Sequence, residues 1–120
     1  MPTGEAFARA WIEAWIEAWN QHDLEAILSH YAEEIVFTSP AAAKITGEAS
    51  GRVEGKAALA AYWGEALRRI PDLRFTLRSV LAGVESLAIR YHSSRTDAEV
   101  VEVVRFGADG LVVEASAYYE

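Results

Sequence analysis

The sequence contains no cysteine and no long apolar segment. A chain without cysteine has no disulfide framework, no thiol nucleophile and no thiolate metal site. No apolar run approaches the roughly 20 residues that cross a bilayer, and residues 1–5 lack the basic and then apolar layout of a signal peptide. We therefore expect a cytoplasmic protein that does not associate with membranes.

Positive charge is also scarce, since 11 Lys and Arg face 18 Asp and Glu, for a formal charge of −7. A protein without a basic surplus displaces few counterions from phosphates, so nucleic acid is not an expected partner. The three histidines, His22, His30 and His92, show no metal-ligand spacing. We expect no metal and no cofactor.

What the sequence does contain is enough apolar surface for one folded domain over residues 1–120. Its 52% hydrophobic and 24% charged residues are typical of a globular chain. Phe7, Trp11, Trp15 and Trp19 recur every four residues, which predicts an amphipathic helix from Glu5 to Asn20. Ile12 and Ile16 widen its apolar face, and Glu13 and Glu17 fall opposite.

The middle of the chain predicts two further helices around a short strand. Asp23 suits an N-cap, and Pro71 ends the last helix. The predicted elements are a helix over residues 24–31, a strand over residues 35–38 stopped by Ser39 and Pro40, a loop over residues 41–55, and a helix from Lys56 to Arg69.

The last fifty residues predict an antiparallel meander. Leu73, Phe75 and Leu77 alternate with polar residues, and turns are indicated near residues 82–85, 96–97 and 107–110. The strands that follow these turns are expected over residues 86–94, 99–106 and 111–119. Helices followed by a meander predict an α+β fold with helices packed on one face of the sheet.

The order of these elements, with several short motifs, resembles the SnoaL-like branch of the nuclear transport factor 2-like superfamily. The motifs are Asn20-x-His22-Asp23-Leu24, Tyr31-Ala32-Glu33-Glu34, Phe37-Thr38-Ser39-Pro40, Gly55-Lys56-Ala57-Ala58-Leu59 and the hairpin from Phe106 to Val112. The resemblance implies a curved, cone-shaped sheet wrapped around the helices, with an internal pocket, usually in a homodimer. Members include ketosteroid isomerases, polyketide cyclases, limonene epoxide hydrolase, dehydratases and binding domains, so the fold does not define the function.

Neither of the family's best-known catalytic sets is intact in this sequence. Where the resemblance to ketosteroid isomerase places a Tyr, a proton-shuttling Asp and an acid, this chain has Trp15, Ser39 and Glu102. A serine without a neighbouring base does not shuttle a proton from carbon at a useful rate, so steroid isomerisation is not expected. The limonene epoxide hydrolase pattern survives only as Arg90-x-His92, because its last Asp is Ala117.

In the family's register, the face of the sheet that carries Glu102 points into the pocket. Strand alternation then adds Val104 from the same strand, Arg90 and His92 from the preceding one, and Ala115, Ala117 and Tyr119 from the last. Ser39 and the aromatic side chains complete the predicted ligand-binding walls, which are Trp15, Trp19, Tyr31, Phe37, Tyr62 and Trp63. A mostly apolar cavity with a few polar groups is the usual form of a small-molecule site.

Two interpretations of Glu102 stay open. In the first it is a general acid or base, with His92 as proton partner and Arg90 as an anion clamp. In the second Glu102 and Arg90 form a structural ion pair between strands, with His92 near solvent. A slip of one residue in register would turn Glu102 outward.

The predicted outer face of the sheet is also apolar, whereas a one-sided sheet should be polar there. Its expected members are Leu73, Phe75, Leu77, Leu87, Ile89, Tyr91, Val101 and Val103. This predicts a homodimer through the outer face.

The sequence therefore predicts a SnoaL-like domain that binds a small apolar molecule and carries out acid-base isomerase, cyclase or hydratase chemistry. The alternative is a non-catalytic binding or dimerisation module of the same fold. Neither hypothesis identifies the substrate or ligand.

Overall fold

A computed structural model describes residues 4–120, in which helices precede and interrupt one six-stranded sheet. The elements are α1 Glu5–Asn20, α2 Leu24–Leu28, β1 Tyr31–Thr38, α3 Pro40–Thr46, β2 Arg52–Glu54, α4 Lys56–Arg69, β3 Phe75–Gly83, β4 Ser86–Ser93, β5 Ala98–Phe106 and β6 Val112–Tyr119. Helices α1 and α4 have the predicted bounds. No helix within residues 4–120 is both long and apolar enough to span a membrane.

The sheet has the strand order β2-β1-β6-β5-β4-β3 and is curved but not closed. Strands β3 to β6 form the predicted antiparallel meander. Strand β1 joins it beside β6, and this pair is parallel. Two helices and four strands lie between β1 and β6 in the chain, which is more than the long connection that a parallel pair requires. The predicted α+β fold is confirmed.

Helix α1 packs its tryptophan stripe against the inner face of the sheet. Trp15 is fully buried, with its ring 6.0 Å from that of Phe75 and 5.6 Å from that of Tyr91. Trp19 contacts Trp63 of α4 at 4.9 Å between ring centroids. These aromatic contacts join α1, α4 and the sheet in one core.

The segment after α1 fixes the helix to the start of β3. The Asn20 amide donates to the Phe75 carbonyl at 2.9 Å and accepts from its N–H at 2.7 Å. His22 Nε2 lies 2.7 Å from the Leu73 carbonyl, and the Asp23 side chain caps α2 by accepting from the Ala26 N–H. The Asn20-x-His22-Asp23 motif therefore has a structural role in this chain, since it connects the end of α1 to the start of β3 and caps α2.

The expected helix over residues 24–31 is too long. Helix α2 ends at Leu28, and β1 already begins at Tyr31, which is paired with Val112 of β6. The Val112 N–H donates to the His30 carbonyl at 2.9 Å. Sheet pairing with a distant part of the chain thus replaces the last turn of the helix.

The loop expected over residues 41–55 is also wrong, because it contains α3 and β2. Ser39 caps α3, its Oγ accepting from the Ala41 N–H at 3.1 Å, and Pro40 occupies the first turn. Gly47 ends this helix at φ 81°, in the left-handed region that glycine enters easily. Strand β2 then pairs with β1, with Val53 opposite Phe37.

The outer face of the sheet differs from the one expected. Five of the residues predicted there are buried in the core, namely Leu73, Phe75, Leu87, Ile89 and Tyr91. Val101 and Val103 do lie on the outer face, opposite Arg90 and Ala88. For Leu87, Ile89 and Tyr91 the reason is the register of β4, in which odd-numbered residues pair with even-numbered residues of β5 and so share their inward face. Phe75 pairs with the buried Ser93 at the inward end of the same strand.

Candidate active site

A small cavity lies between the inner face of the sheet and helices α3 and α4. Its volume is about 60 Å³. Tyr62 and Trp63 of α4 and Ala41 and Ile45 of α3 form one side, and Glu102 of β5 belongs to the other. The lining is mainly apolar and aromatic, as is usual for small-molecule sites.

Glu102 is the acidic side chain buried in this cavity wall, with only 4% of the residue exposed. It lies in the middle of β5, opposite Ile89 of β4 and Ala117 of β6. Its Oε1 accepts a hydrogen bond of 3.1 Å from the Tyr91 hydroxyl. Its Oε2 is buried and has no hydrogen-bond partner among residues 4–120.

Burial raises the pKa of Glu102 to about 7, and the Tyr91 hydrogen bond opposes that rise. Removing a carboxylate from water disfavours its charged form, and one neutral hydrogen bond does not compensate for the lost hydration. Glu102 can therefore take up or release a proton near neutral pH. This is the property that a general acid or base requires.

Tyr91 and Tyr31 surround the carboxyl with phenols that stay protonated. Burial, reinforced by the charge of Glu102, raises the pKa of each well above its ordinary value. Tyr31 accepts a hydrogen bond of 2.9 Å from Nε1 of Trp15. Trp15, which stands where the ketosteroid isomerase resemblance places a Tyr, thus directs its polar atom to Tyr31.

Tyr119 and Arg95 are further polar residues of the cavity lining. The Ser39 hydroxyl, which lies outside the lining, is 3.4 Å from the Tyr119 hydroxyl. The guanidinium carbon of Arg95 lies 5.3 Å from the centre of the Tyr119 ring, a cation–π distance. Burial raises the pKa of Tyr62 to about 12, with a contribution from Tyr119.

Arg90 and His92 do not join Glu102, contrary to the expected register. Both lie on the opposite face of the sheet, since Arg90 pairs in register with Val101 and His92 with Glu99. The Arg90 side chain contacts Glu99 at 3.3 Å, and His92 contacts Asp97 at 2.9 Å. The Glu102–Arg90 ion pair of the second interpretation is therefore also absent from the described residues.

The other predicted site residues divide into two groups. Those that line the cavity are Trp19, Phe37, Tyr62, Trp63, Glu102 and Tyr119. Those that lie outside its lining are Trp15, Tyr31, Ser39, Val104, Ala115 and Ala117. The second group is buried where the core is filled by close packing, as the full burial of Trp15, Tyr31 and Val104 shows.

Several contributors to the cavity were not predicted from the sequence, among them Tyr91, helix α3 and Arg95. Tyr91 was assigned to the outer face, although Leu87, Ile89 and Tyr91 alternate with Ala88, Arg90 and His92 in the pattern of an inward apolar row. Helix α3 was taken as loop, although Ser39-Pro40 is a helix-start signal. Arg95 lies in the β4–β5 turn and had no sequence signal that distinguished it from other turn residues.

Within the part of the chain that the structure describes, no three His, Asp or Glu side chains come together as metal ligands. The polar chemistry available in the cavity is one carboxyl, three phenols, one serine hydroxyl and one guanidinium, from Glu102, Tyr62, Tyr91, Tyr119, Ser93 and Arg95. Such a set can hydrogen-bond an oxygen-containing ligand and exchange one proton with it.

The chain belongs to the SnoaL-like family. The model of the SnoaL-like domain matches residues 12–115. A SnoaL-like protein of unknown function from Burkholderia thailandensis E264 is 49% identical, with a TM-score of 0.95 over 100% of this chain and 99% of that one. No curated protein matches the chain.

More distant solved structures share the fold. AclR from Streptomyces galilaeus, described as a proposed hydroxylase, is 23% identical, with a TM-score of 0.75 over 98% of this chain and 91% of its own. A proposed isomerase of the SnoaL-like family from Agrobacterium tumefaciens C58 is 19% identical, with a TM-score of 0.70 over 91% and 93% of the two chains. The diversity of these descriptions leaves the chemistry to be argued from the site.

Proposed function

We propose that the chain binds a small, mostly apolar molecule in the cavity and that Glu102 exchanges a proton with it, in a reaction of the isomerase, cyclase or hydratase type. One observation carries this proposal. Glu102 is a buried carboxyl in the cavity wall, and its Oε2 has no hydrogen-bond partner within residues 4–120. A buried polar atom without a partner costs free energy, which a ligand would recover.

A pKa of about 7 gives Glu102 both protonation states at neutral pH. In the ionised form, Oε2 can take a proton from a carbon next to a carbonyl group and leave an enolate. The protonated carboxyl can then return that proton to the same or to a neighbouring carbon. Tyr91 would hold Oε1 throughout, so that one defined oxygen performs the transfer.

The cavity is small for a ligand site, since about 60 Å³ falls below the roughly 300–1,000 Å³ of sites for drug-sized molecules. Trp19, Tyr62 and Trp63 occupy much of the space between the helices and the sheet. The enclosed part of a ligand is therefore compact, such as a short chain or a single small ring.

A non-catalytic binding module is the second candidate, and Ser39 favours it. The ketosteroid isomerase resemblance places the proton-shuttling Asp at this position, but the Ser39 hydroxyl caps α3 through Ala41. In such a module the carboxyl of Glu102 would form a hydrogen bond with the ligand without transferring a proton.

An exchange experiment separates the two candidates. Cyclopentanone, a compact ketone, is incubated in D₂O with the wild-type protein, and loss of its α-protons is followed by NMR. The test variant is Glu102→Gln, which keeps the shape but cannot exchange the proton. The matched control is Glu65→Gln, because Glu65 lies on α4, does not line the cavity and forms its ion pairs within residues 4–120 with Arg68 and Arg69.

Catalysis predicts faster exchange with wild type and Glu65→Gln than in buffer, and buffer-level exchange with Glu102→Gln. Saturation transfer from protein to ketone without faster exchange would support the binding module and contradict the catalytic role. Absence of both signals with wild type would contradict both candidates.

Two further expectations remain predictions. We propose a cytoplasmic location, in line with a chain that has no cysteine to oxidise. We also propose a homodimer through the outer face of the sheet, although its apolar area is smaller than the sequence indicated.

A further inference from the structure

We infer that the ligand of this cavity is a small carboxylic acid with a second oxygen function, its carboxylate paired with Arg95 and its ketone or hydroxyl oxygen bound to Glu102. This inference rests on the proposed function and names its ligand class. It follows from the different polar groups that line one apolar cavity.

The first observation is that Arg95 belongs to the cavity lining but has no acidic partner within residues 4–120. Other arginines of the sheet are paired, such as Arg90 with Glu99 and Arg105 with Glu114. The acid nearest to Arg95 in sequence, Asp97, contacts His92 instead. A guanidinium is suited to a carboxylate because both are planar and can form two parallel hydrogen bonds.

The second observation concerns how Arg95, an exposed residue of the β4–β5 turn, is positioned at the cavity. Its guanidinium carbon lies 5.3 Å from the centre of the Tyr119 ring. Its backbone N–H donates to the Ser93 hydroxyl at 3.3 Å, and Ser93 is buried and lines the same cavity. The hydrogen bond fixes the backbone from which the side chain extends, and the Tyr119 contact lowers the cost of ordering that side chain around a ligand.

The third observation is that Glu102 provides a different kind of polar site. Burial, rather than the charge of Arg95, determines its raised pKa, whereas the charge of Arg95 acts on Tyr62. The protonated carboxyl is suited to donate to a neutral oxygen, and its Oε2 has no partner among the described residues. A ligand anion beside Glu102 would instead be buried without a counter-charge.

The charge of the whole chain makes Arg95 necessary for such a ligand. A net charge of −7 repels an anion at long range, so a carboxylate needs a local cation to bind. The apolar residues that line the same cavity, including Phe37 and Trp63, suit a short hydrocarbon link between the two oxygen functions. Together these features favour an oxo- or hydroxy-acid over a neutral ketone of the same size.

The test compares two probes of the same carbon skeleton, one with a carboxylate and one with a neutral amide at its end. These are 4-oxopentanoate and 4-oxopentanamide, titrated by NMR at about pH 6, where the carboxylic acid of the probe is ionised and Glu102 is largely protonated. The variants are Arg95→Gln and, as a control, Arg74→Gln. Arg74 is exposed, has no acidic partner within residues 4–120 and does not line the cavity.

We expect wild type and Arg74→Gln to bind the carboxylate about tenfold more tightly than the amide, since a hydrogen bond to a charged group is typically worth that much. Arg95→Gln should lose this preference and leave the amide affinity unchanged. The preference should also shrink as salt is added.

Equal affinity for both probes in wild type, or an equal loss for both in Arg95→Gln, would overturn the inference and leave the proposed function intact. If Arg74→Gln also lost the preference for the carboxylate, the preference would come from the overall charge of the protein, which would overturn the role of Arg95. Failure of both probes to bind wild type would overturn this inference and, with a negative cyclopentanone result, the proposed function too.

Discussion

The hydroxyl of Tyr91 donates to Oε1 of Glu102 at 3.1 Å across two neighbouring strands. Ile89, and not Tyr91, lies directly opposite Glu102, so the contact is a diagonal one on the inner face of the sheet. The bond fixes one carboxyl oxygen and leaves Oε2 without a partner within residues 4–120. The two oxygens of one carboxyl thus have different surroundings, which is the basis of the first two predictions.

The first prediction concerns the pH dependence of stability. The pKa of Glu102 is raised to about 7 in the folded protein, from an ordinary value of 4.5. Between these two pH values the folded protein keeps a proton on Glu102 that the unfolded chain has lost. The free energy of unfolding should therefore fall between about pH 4.5 and pH 7, by about 3 kcal/mol from this group. Glu102→Gln should remove that fall and be the more stable protein at pH 8.

Urea unfolding of wild type and Glu102→Gln across this pH range measures the difference. Glu65→Gln is the control, because hydrogen bonds from Arg68 and Arg69 lower the pKa of Glu65 below its ordinary value of 4.5, so that this carboxyl is ionised in the folded and the unfolded protein well above that pH. The difference in the free energy of unfolding between wild type and Glu65→Gln should therefore stay nearly constant above about pH 5.5. A constant difference between wild type and Glu102→Gln from pH 4 to pH 8 would contradict the prediction.

The second prediction is that Tyr91→Phe raises the pKa of Glu102 further. The Tyr91 hydrogen bond favours the ionised carboxyl, and burial is the larger opposing effect. Removing the hydroxyl removes the only hydrogen bond that the structure gives this carboxyl within the described residues. The titration midpoint of Glu102, followed by NMR of ¹³C-labelled glutamate, should move upward.

Tyr118→Phe is the matched control, since Tyr118 is on β6 and 59% exposed on the outer face. It should leave the Glu102 midpoint unchanged. A midpoint that stays the same in Tyr91→Phe would mean that the hydrogen bond does not exist in solution.

Much of the fold could be predicted because its signals are local. The four-residue spacing of aromatic side chains predicts α1, and the bounds of α4 follow from Gly55 and Pro71. The boundaries that were wrong depend on distant contacts. Tyr31 starts β1 because Val112, far away in the chain, pairs with it, and the helix pattern before it contains no sign of that pairing.

The candidate site was predicted less well because the register between strands decides which side chains lie beside Glu102. Even-numbered residues of β4 were placed beside Glu102 by the family register, whereas the loop between Ser93 and Ala98 sets odd-numbered residues there. One residue of slip exchanges Arg90 and His92 for Ile89 and Tyr91. The inward orientation of Glu102 was expected from the family's register and not from the alternation of β5, which is apolar on both faces, and the structure does bury this residue.

The third prediction tests the tie between α1 and β3. Asn20→Ala removes both hydrogen bonds to the backbone of Phe75, whose ring contacts Trp15 and Trp19 in the core. The part-buried Phe75 N–H and carbonyl lose their partners, so the free energy of unfolding in urea should drop by about 1–3 kcal/mol. Gln21→Ala should change it little, since the side-chain hydrogen bond of Gln21 within residues 4–120 goes to the exposed Glu17. Equal effects of the two substitutions would contradict this role of Asn20.

The last prediction concerns the homodimer, whose interface cannot consist of all the residues expected from the sequence. Five of its eight predicted residues lie in the core, whereas Val103, which was also predicted there, is 37% exposed on the outer face beside the exposed Tyr118. Val103 and Tyr118 thus form an apolar strip smaller than the predicted interface. Burial of this strip against a second copy would remove apolar surface from water. We expect a dimer in sedimentation at micromolar concentration, and Val103→Lys should convert it to a monomer because the added charges would face each other across a two-fold axis.

Val84→Lys is the control for that experiment, because Val84 is 90% exposed and lies in the β3–β4 turn, away from the strip. It removes an exposed apolar side chain and adds the same charge, so it should leave the dimer intact. A monomeric mass for the wild type would contradict dimerisation altogether. Loss of the dimer in Val84→Lys alone would place the interface at that turn and not on the outer face of the sheet.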